Sequence, residues 1–201
     1  MTYILRGASM DLHEKTYEKQ TFENLSLPQQ SLTDKEFVNC IFTKCDFRDS
    51  DFSRSTFIQC EFSSCNLSNV KLSDSRLQDV KFIQSKIVGA NFASINRLII
   101  ELNFDDSIIN FCNFGDLDIK RTKFISCIMR ETDFFKADLS GCDFGNTDLQ
   151  ATRFQNCNLR KASFIGAKNY FVDPVDNNVR QAKFSTPEVL SLLSKFKIEI
   201  V

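Results

Sequence analysis

The sequence predicts an all-β fold, a four-sided β-helix of about eight coils that forms a rod. Three observations predict it: an apolar residue recurs at every fifth position, a small residue stands two positions before most of these, and phenylalanine alternates with aliphatic residues in the second half of the chain. A period of five matches neither an α-helix, at about 3.6 residues per turn, nor a long β-strand, whose side chains have a period of about two. The chain therefore has to turn at short, regular intervals.

The five-residue period runs in two blocks. The first begins at Phe22 and ends at Phe92, and the second begins at Phe104 and ends at Phe164. All 28 of these positions, which we call the centres, are apolar. Between the blocks the phase slips by two residues within residues 93–99. We expect a bulged corner there rather than a domain boundary.

The small residues predict a corner in every repeat. Residues two apart on a strand point to the same side, so each small residue can face inward together with the centre that follows it. The next small residue lies three beyond that centre, an odd spacing that a straight strand would turn outward. One short strand and one corner every five residues form one side of a coil.

The order of the centres predicts the number of sides. With four sides, residues four repeats apart lie above one another, which places phenylalanine on phenylalanine throughout the second block. Three sides would stack phenylalanine on aliphatic residues. Across the slip, the spacing predicts one ladder of eight rings, formed by Phe22, Phe42, Phe62, Phe82, Phe104, Phe124, Phe144 and Phe164.

The repeat divides the chain into three predicted segments. Residues 1–16 form an N-terminal cap, residues 17–168 form the β-helix, and residues 169–201 form a C-terminal segment with a helix and a strand. The helix is predicted to begin at Ser185–Glu188, which fits a capping box with a proline in the first turn. The last four residues, 198–201, have the composition of a strand.

The apolar residues of the C-terminal segment have two interpretations. They can cap the open end of the rod, where strand edges would otherwise stay unpaired. They can also join two copies of the chain, and we expect such a dimer interface to comprise Leu190, Leu193, Phe196, Ile198 and Ile200.

Composition narrows the function classes. The formal net charge is −1, which gives no general attraction to nucleic acid or to anionic membranes. The N-terminus has no signal peptide pattern and no apolar run could cross a membrane, so a cytoplasmic location is expected. With one histidine, His13, expected on the surface or in the cap, and with six scattered glycines, the sequence predicts no enzyme, no catalytic residues and no cofactor.

The eight cysteines all stand two before a centre, at spacings that are multiples of five or that include the slip. Metal sites need clustered ligands such as pairs of closely spaced cysteines. We therefore expect small buried thiols, with no metal site and no disulfide.

Several repeats carry a family resemblance: CDFRD (45–49), ADLSG (137–141), CDFGN (142–146), TDLQA (147–151) and CNLRK (157–161). They resemble the pentapeptide-repeat family, in which a small residue, Asp or Asn, Leu or Phe and two variable residues recur. The resemblance covers residues 17–168 and implies a right-handed, four-sided β-helix.

The C-terminal segment resembles the end of the topoisomerase-protecting members of that family, those conferring albicidin resistance most closely and the Qnr and MfpA types more loosely. This resemblance implies binding to DNA gyrase or topoisomerase IV, protection from topoisomerase poisons, and dimers joined through the C-termini. From the balanced charge we expect no direct contact with nucleic acid. Unlike the Qnr type, this sequence has no long loops between repeats, which favours the loopless members. The alternative function is an interaction scaffold for an unrelated protein.

An acidic stretch is the candidate partner-binding surface. Residues 101–150 carry a net charge of −5, and residues 151–201 carry +4. A negative rod could occupy a DNA-binding groove, with carboxylates in the place of phosphates. The alternative is that the repeat pattern itself requires Asp before each centre. The predicted partner-binding residues are Asp105, Asp106, Asp116, Asp118, Asp133, Asp138, Asp143 and Asp148.

Overall fold

Parallel backbone pairing between residues one coil apart organises the chain. The computed structural model describes residues 3–6 and 12–199. It is a right-handed, four-sided parallel β-helix of about eight coils, which confirms the predicted fold class. Pairs such as Phe22 with Phe42 and Asp46 with Asn66 show the spacing of 20 residues that four five-residue sides require.

Within residues 3–6 and 12–199 the chain forms eleven short strands, which we number in chain order. They are β1 Tyr3–Arg6, β2 Thr16–Glu18, β3 Gln20–Glu23, β4 Glu36–Val38, β5 Ile41–Thr43, β6 Thr56–Ser63, β7 Arg76–Ile83, β8 Leu102–Asp105, β9 Lys123–Ile125, β10 Ser163–Phe164 and β11 Lys183–Phe184. Nine belong to one sheet with the path β1-β3-β5-β6-β7-β8-β9 and with β2 and β4 beside it, and β10 pairs with β11. Isolated parallel bridges connect the remaining sides.

The four sides are distinguished by their buried centres, and we name them A to D. Side A carries the ladder of rings. The centres of side B are Leu27, Phe47, Leu67, Ile87, Ile109, Met129 and Leu149; those of side C are Leu32, Phe52, Leu72, Phe92, Phe114, Phe134 and Phe154; those of side D are Tyr17, Phe37, Phe57, Leu77, Ile119, Leu139 and Leu159.

The corners lie at the residue two after a centre, where the backbone is left-handed except at Ser94, which belongs to a 3₁₀ helix, Phe92–Ser94. Asn24, Asp34 and Asn69 each have φ of 57° there. Asn and Asp enter this conformation more readily than other non-glycine residues. These are the corners that the odd spacing of the small residues predicts.

The ring ladder on side A is continuous across the slip. Successive rings from Phe22 to Phe184 are stacked with centroids 4.7–5.3 Å apart. Phe82 and Phe104, on either side of the slip, have centroids 5.0 Å apart and planes within 10°. The ninth ring, Phe184, lies beyond the boundary at residue 168, so the coil continues into the segment that the sequence assigned to the C-terminal tail.

The slip begins at the corner after Phe92, where a 3₁₀ helix, Phe92–Ser94, replaces the left-handed corner, and it is completed on side D. Asn96 keeps the regular backbone pairing through its N–H to Ser75 O at 2.9 Å, and the chain then bulges outward at residues 97–100. Leu98 is 84% exposed, while Ile100 packs against the core. Parallel pairing resumes at Leu102. The irregular backbone thus begins within the predicted range 93–99, and the bulge ends one residue beyond it.

The C-terminal segment ends in a 3₁₀ helix, Glu188–Phe196. The predicted capping box is wrong: no side chain caps this helix, and Ser185 Oγ accepts a hydrogen bond from the Gly166 N–H at 3.0 Å instead. The predicted terminal strand is absent at residues 198–199, the part of 198–201 that the structure describes. Leu192 packs on the core, and Lys195 forms an ion pair with Asp173.

Candidate interaction surfaces

The eight acidic residues of the candidate surface are spread around the rod. Asp105 lies on side A, and Asp106 lies at the corner between sides A and B. Asp143 also lies on side A, one position before a centre. The others occupy the remaining sides: Asp148 on side B, Asp133 and Asp116 on side C and its corner, and Asp118 and Asp138 on side D. They do not form one continuous strip.

Aspartates placed just before a centre have a structural function. Their Oδ1 accepts the backbone N–H two residues ahead, as Asp143 does from Gly145 at 3.0 Å and Asp133 from Phe135 at 2.9 Å. Asp138 and Asp148 accept the same bond from Ser140 and Gln150. Such bonds satisfy backbone donors at a turn, which explains why the repeat favours Asp and Asn at this position.

Four of the eight carboxylates are also paired with basic side chains. Asp118 and Asp138 share Lys120, Asp148 pairs with Arg130 at 2.8 Å, and Asp133 pairs with Arg153; these contacts lie on the surface. Partial burial raises the pKa of the Asp148 carboxyl, but hydrogen bonds from Asn169 and Arg130 outweigh it and hold the pKa below its ordinary value. These paired groups project little net negative charge.

Three carboxylates on or beside side A remain without an ion pair among the described residues: Asp105, Asp106 and Asp143. Asp106 accepts a hydrogen bond from Gln84 Nε2 at 3.1 Å, which leaves its charge uncompensated. An open hollow lies beside them and is lined by Lys81, Ile83, Asn103, Asp105, Lys123 and Ile125. Asp116, at the corner of side C, also forms no ion pair among the described residues, and Lys81 and Lys123 lie beside the carboxylates of side A.

A basic surface follows the side D corner in the last coils, and it was not predicted as a site. Lys120, Arg121, Arg160 and Lys161 line a shallow hollow around Gly141, and Arg160 and Arg180 line the next one. The sequence showed only the net charge of residues 151–201. The signal that identifies this surface is the spacing of 20 residues between Arg160 and Arg180, which places them on successive coils.

The predicted dimer residues are exposed at the end of the rod. Leu190, Leu193, Phe196 and Ile198 are 44%, 37%, 53% and 56% exposed, whereas Ile200 lies outside the described residues. Phe171 and Val175, also exposed, belong to the same last coil. One end of the rod thus presents an apolar surface.

The buried thiols of the core differ in their surroundings: a hydrogen bond with Cys60 lowers the pKa of Cys40 to about 7, and one with Cys65 lowers that of Cys45, whereas burial raises the pKa of others. All eight cysteines are free and buried. Burial raises the pKa of Cys112 and of Cys127 to about 12, so both stay protonated and unreactive. Across residues 3–6 and 12–199, no group of His, Cys, Asp and Glu is arranged to hold a metal ion, and no helix is long and apolar enough to span a membrane.

Sequence-family comparisons agree with this architecture. The family described as "Pentapeptide repeat region" matches residues 35–114, and "Pentapeptide repeats" matches residues 112–150 and 137–168. The chain belongs to the pentapeptide-repeat family. No curated protein sequence matches this pentapeptide-repeat chain.

Solved structures of another pentapeptide-repeat protein share the fold. Two trypsin-treated variants of QnrB1, described as a plasmid-mediated fluoroquinolone resistance protein, each align over 100% of both chains. One is 18% identical with a TM-score of 0.67, and the other is 19% identical with a TM-score of 0.55. At this identity the likeness establishes the common fold.

Proposed function

We propose that this pentapeptide-repeat protein binds DNA gyrase or topoisomerase IV and protects it from a topoisomerase-poisoning antibiotic. The observation that supports this most is the form of the molecule, a four-sided rod that aligns over its full length with QnrB1, a resistance protein. We infer a binding mechanism, namely competition or remodelling at the DNA gate, and no chemical destruction of the drug. The protein acts in the cytoplasm without contacting nucleic acid or membrane directly.

The acidic region of side A is the surface we assign to partial DNA mimicry. Asp105, Asp106, Asp143 and Asp116 form no ion pair among the described residues, and the first three lie on or beside side A; Asp118, Asp133, Asp138 and Asp148 are paired. Uncompensated carboxylates attract a basic DNA-binding groove in the way that phosphates do. We propose that the four paired aspartates stabilise the backbone of the repeats and do not contact the enzyme.

The test is gyrase cleavage in the presence of a poison, with the wild-type protein and the triple variant Asp105→Asn, Asp106→Asn, Asp143→Asn. Asparagine keeps the Oδ1 acceptor that Asp143 supplies to Gly145, so the rod is expected to stay folded. Protection is expected to weaken, and wild-type binding is expected to weaken as salt rises, because exposed charges are screened within about 8–10 Å near physiological ionic strength.

The matched control is Asp133→Asn, which removes one charge from a paired carboxylate and keeps its acceptor for Phe135. It is expected to leave protection unchanged. If the wild-type protein neither binds gyrase or topoisomerase IV at low salt nor changes poison-stabilised cleavage by either enzyme, the proposed function is wrong. A scaffold for another protein partner then replaces it.

A further inference from the structure

The last coils of side D carry a strip of exposed basic residues. Arg160 and Arg180 stand just after a centre on adjacent coils, and Lys161 lies at the corner next to Arg160. The backbone N–H of Lys161 donates to Arg180 O at 3.0 Å, which fixes the two coils side by side. Arg121 lines one hollow together with Arg160 and Lys161. We call Arg121, Arg160, Lys161 and Arg180 the side D strip.

The four cations of the side D strip are not neutralised within the rod. Among the described residues none of them forms an ion pair. Elsewhere an arginine faces a carboxylate on the adjacent coil, as Arg54 faces Asp34 at 2.6 Å. In the strip, Arg180 lies one coil above Arg160 instead. Like charges directly opposite on adjacent strands are destabilising, so this arrangement does not serve the fold.

Two asparagines leave the arginine charges uncompensated. Asn158 and Asn178 stand just before a centre, and each accepts at Oδ1 the backbone N–H two residues ahead, at 3.3 Å. Asp46 accepts the same bond from Arg48, and its carboxylate also binds the Arg48 guanidinium at 2.7 Å. Asparagine therefore keeps the hydrogen bond that the turn needs, while the guanidinium two residues ahead stays available to a partner.

The surroundings of Arg160 and Arg180 add no free carboxylate. The positions just before the centres on sides D and A of these two coils are neutral or basic: Asn158, Asn178, Ser163 and Lys183. Asp176, which shares a hollow with Arg180, faces Lys195 at 3.8 Å. The strip is therefore complementary to an anionic ligand.

The number of cations and the width of the strip distinguish between anionic ligands. Proteins that hold duplex DNA make on the order of 6–10 phosphate contacts, whereas the strip offers four cations. A duplex along the strip would also meet the carboxylates of side A that form no ion pair, such as Asp143. An extended protein segment covers a single corner of the rod. Its carboxylates form charge-assisted, bidentate hydrogen bonds with arginine.

We propose that the side D strip binds an extended, acidic segment of a partner protein. This inference goes beyond the proposed function, because it adds a second interaction surface that is opposite in charge to the acidic region of side A. Arg160 and Arg180 hold the carboxylates of the segment, and Arg121 and Lys161 steer its approach.

The experiment measures fluorescence anisotropy of a labelled peptide of alternating Glu and Gly residues at about 0.1 M salt. The variant is Asn158→Asp, Asn178→Asp, which keeps both backbone acceptors and places a carboxylate before each arginine, as Asp46 stands before Arg48. Affinity for the peptide is expected to fall about tenfold, because both guanidinium groups are then neutralised within the rod.

The matched control is Asn66→Asp, Asn113→Asp, which adds the same charge at the same repeat position on sides B and C. Both asparagines accept a backbone N–H two residues ahead, and aspartate keeps that bond. Affinity for the peptide is expected to stay unchanged, because exposed charges are screened beyond about 10 Å at about 0.1 M salt.

A second variant covers the case that Asn158→Asp disturbs the rod, since Asn158 Nδ2 donates to Asp138 at 3.1 Å. Arg160→Gln, Arg180→Gln changes two exposed side chains and is expected to lower the affinity for the peptide about as much. Unaltered affinity in this variant overturns the inference.

Three further outcomes overturn it. Equal losses in the two aspartate variants would show that net charge governs binding and that the strip does not. Tighter binding of a labelled single-stranded oligonucleotide than of the peptide would assign the strip to nucleic acid. Wild-type protein that does not bind the peptide would leave the strip without this ligand. Each of these results leaves the proposed protection of a topoisomerase intact, because that proposal depends on side A.

Discussion

The position two residues before each centre shows how far residue size alone predicts the structure of the core. Size and spacing predict that these residues face inward, and all the cysteines do. They do not predict that the hydroxyl or thiol group of these residues forms a hydrogen bond. Ser55 Oγ donates to Leu32 O at 2.6 Å and Cys142 Sγ to Ile119 O at 3.1 Å, in each case the carbonyl of a centre in the coil below. Buried polar groups need such partners, which explains why Ser, Thr and Cys are preferred over Ala here.

Thr147 permits a direct test of these bonds. Its Oγ1 donates to Phe124 O at 2.6 Å and accepts the Cys127 N–H at 3.1 Å, within the core. Thr147→Val keeps the shape but leaves a buried donor and a buried acceptor unpaired, so the free energy of unfolding is expected to fall by about 1–3 kcal/mol. Urea denaturation measures it. Thr147→Ser, which keeps the hydroxyl, should lose less; equal losses for both variants would show that the hydrogen bonds contribute little.

The aspartates before the centres illustrate a limit of sequence reasoning at the same scale. One residue type serves two purposes there, since the carboxylate of Asp143 both accepts a backbone N–H and carries an uncompensated charge. The repeat pattern alone does not show which aspartates serve which purpose. Only the ion pairs distinguish Asp133, which faces Arg153, from Asp143.

Among the elements, the bulge at residues 97–100 shows how a repeat absorbs an insertion. The phase of the centres gives the size and approximate place of the slip from sequence alone. It does not predict that Ile100, which is out of phase with the repeat, packs against the core at the bulge. Leu117, a large residue at a position usually held by a small one, is buried on the same side one coil later.

Deleting Arg97 and Leu98 is expected to leave a stable rod. The deletion joins Asn96 to Ile99 and creates the repeat Ile-Asn-Ile-Ile-Glu, in phase with both blocks. Leu98 is 84% exposed, so little buried surface is lost. The free energy of unfolding should stay within about 1 kcal/mol of wild type, as for changes at exposed sites.

The control for this deletion removes Lys136 and Ala137 from a regular region. It shifts every later centre out of phase and turns polar residues inward, which costs several kcal/mol at each unpaired polar group. Thermal unfolding followed by circular dichroism compares the two deletions. If both variants unfold at the same temperature, the phase of the repeat does not determine stability.

In the C-terminal segment, a local sequence motif predicted the structure less well than the five-residue period did. Ser185 to Glu188 has the composition of a capping box, yet the Ser185 hydroxyl is engaged by Gly166 in the coil below. A contact between coils, which no local pattern reports, took the place of the helix cap. The same contact between coils carries the ladder on to Phe184.

At the scale of the whole molecule, the C-terminal end of the rod carries an exposed apolar surface, which we expect to join two copies. The C-terminal end exposes Leu190, Leu193, Phe196 and Ile198 next to Phe171 and Val175 of the last coil. Joining two copies through these surfaces would hide the open strand edges and double the length of the rod. A two-fold symmetric rod suits a two-fold symmetric topoisomerase, so assembly and protection are expected to be linked.

The variant Leu190→Ser, Phe196→Ser tests that link. Both side chains are about half exposed, so replacing them removes apolar surface from the end of the rod with little effect on the core, where Leu192 makes the contact. Sedimentation velocity is expected to show a monomer, and gyrase cleavage assays should show weakened protection, because a monomer engages only half of a symmetric enzyme. The matched control Phe135→Ala, which removes a comparably exposed ring from side C, is expected to stay dimeric and protective. A variant that remains dimeric would place the interface elsewhere, and a monomer with full protection would show that a single rod is the active form.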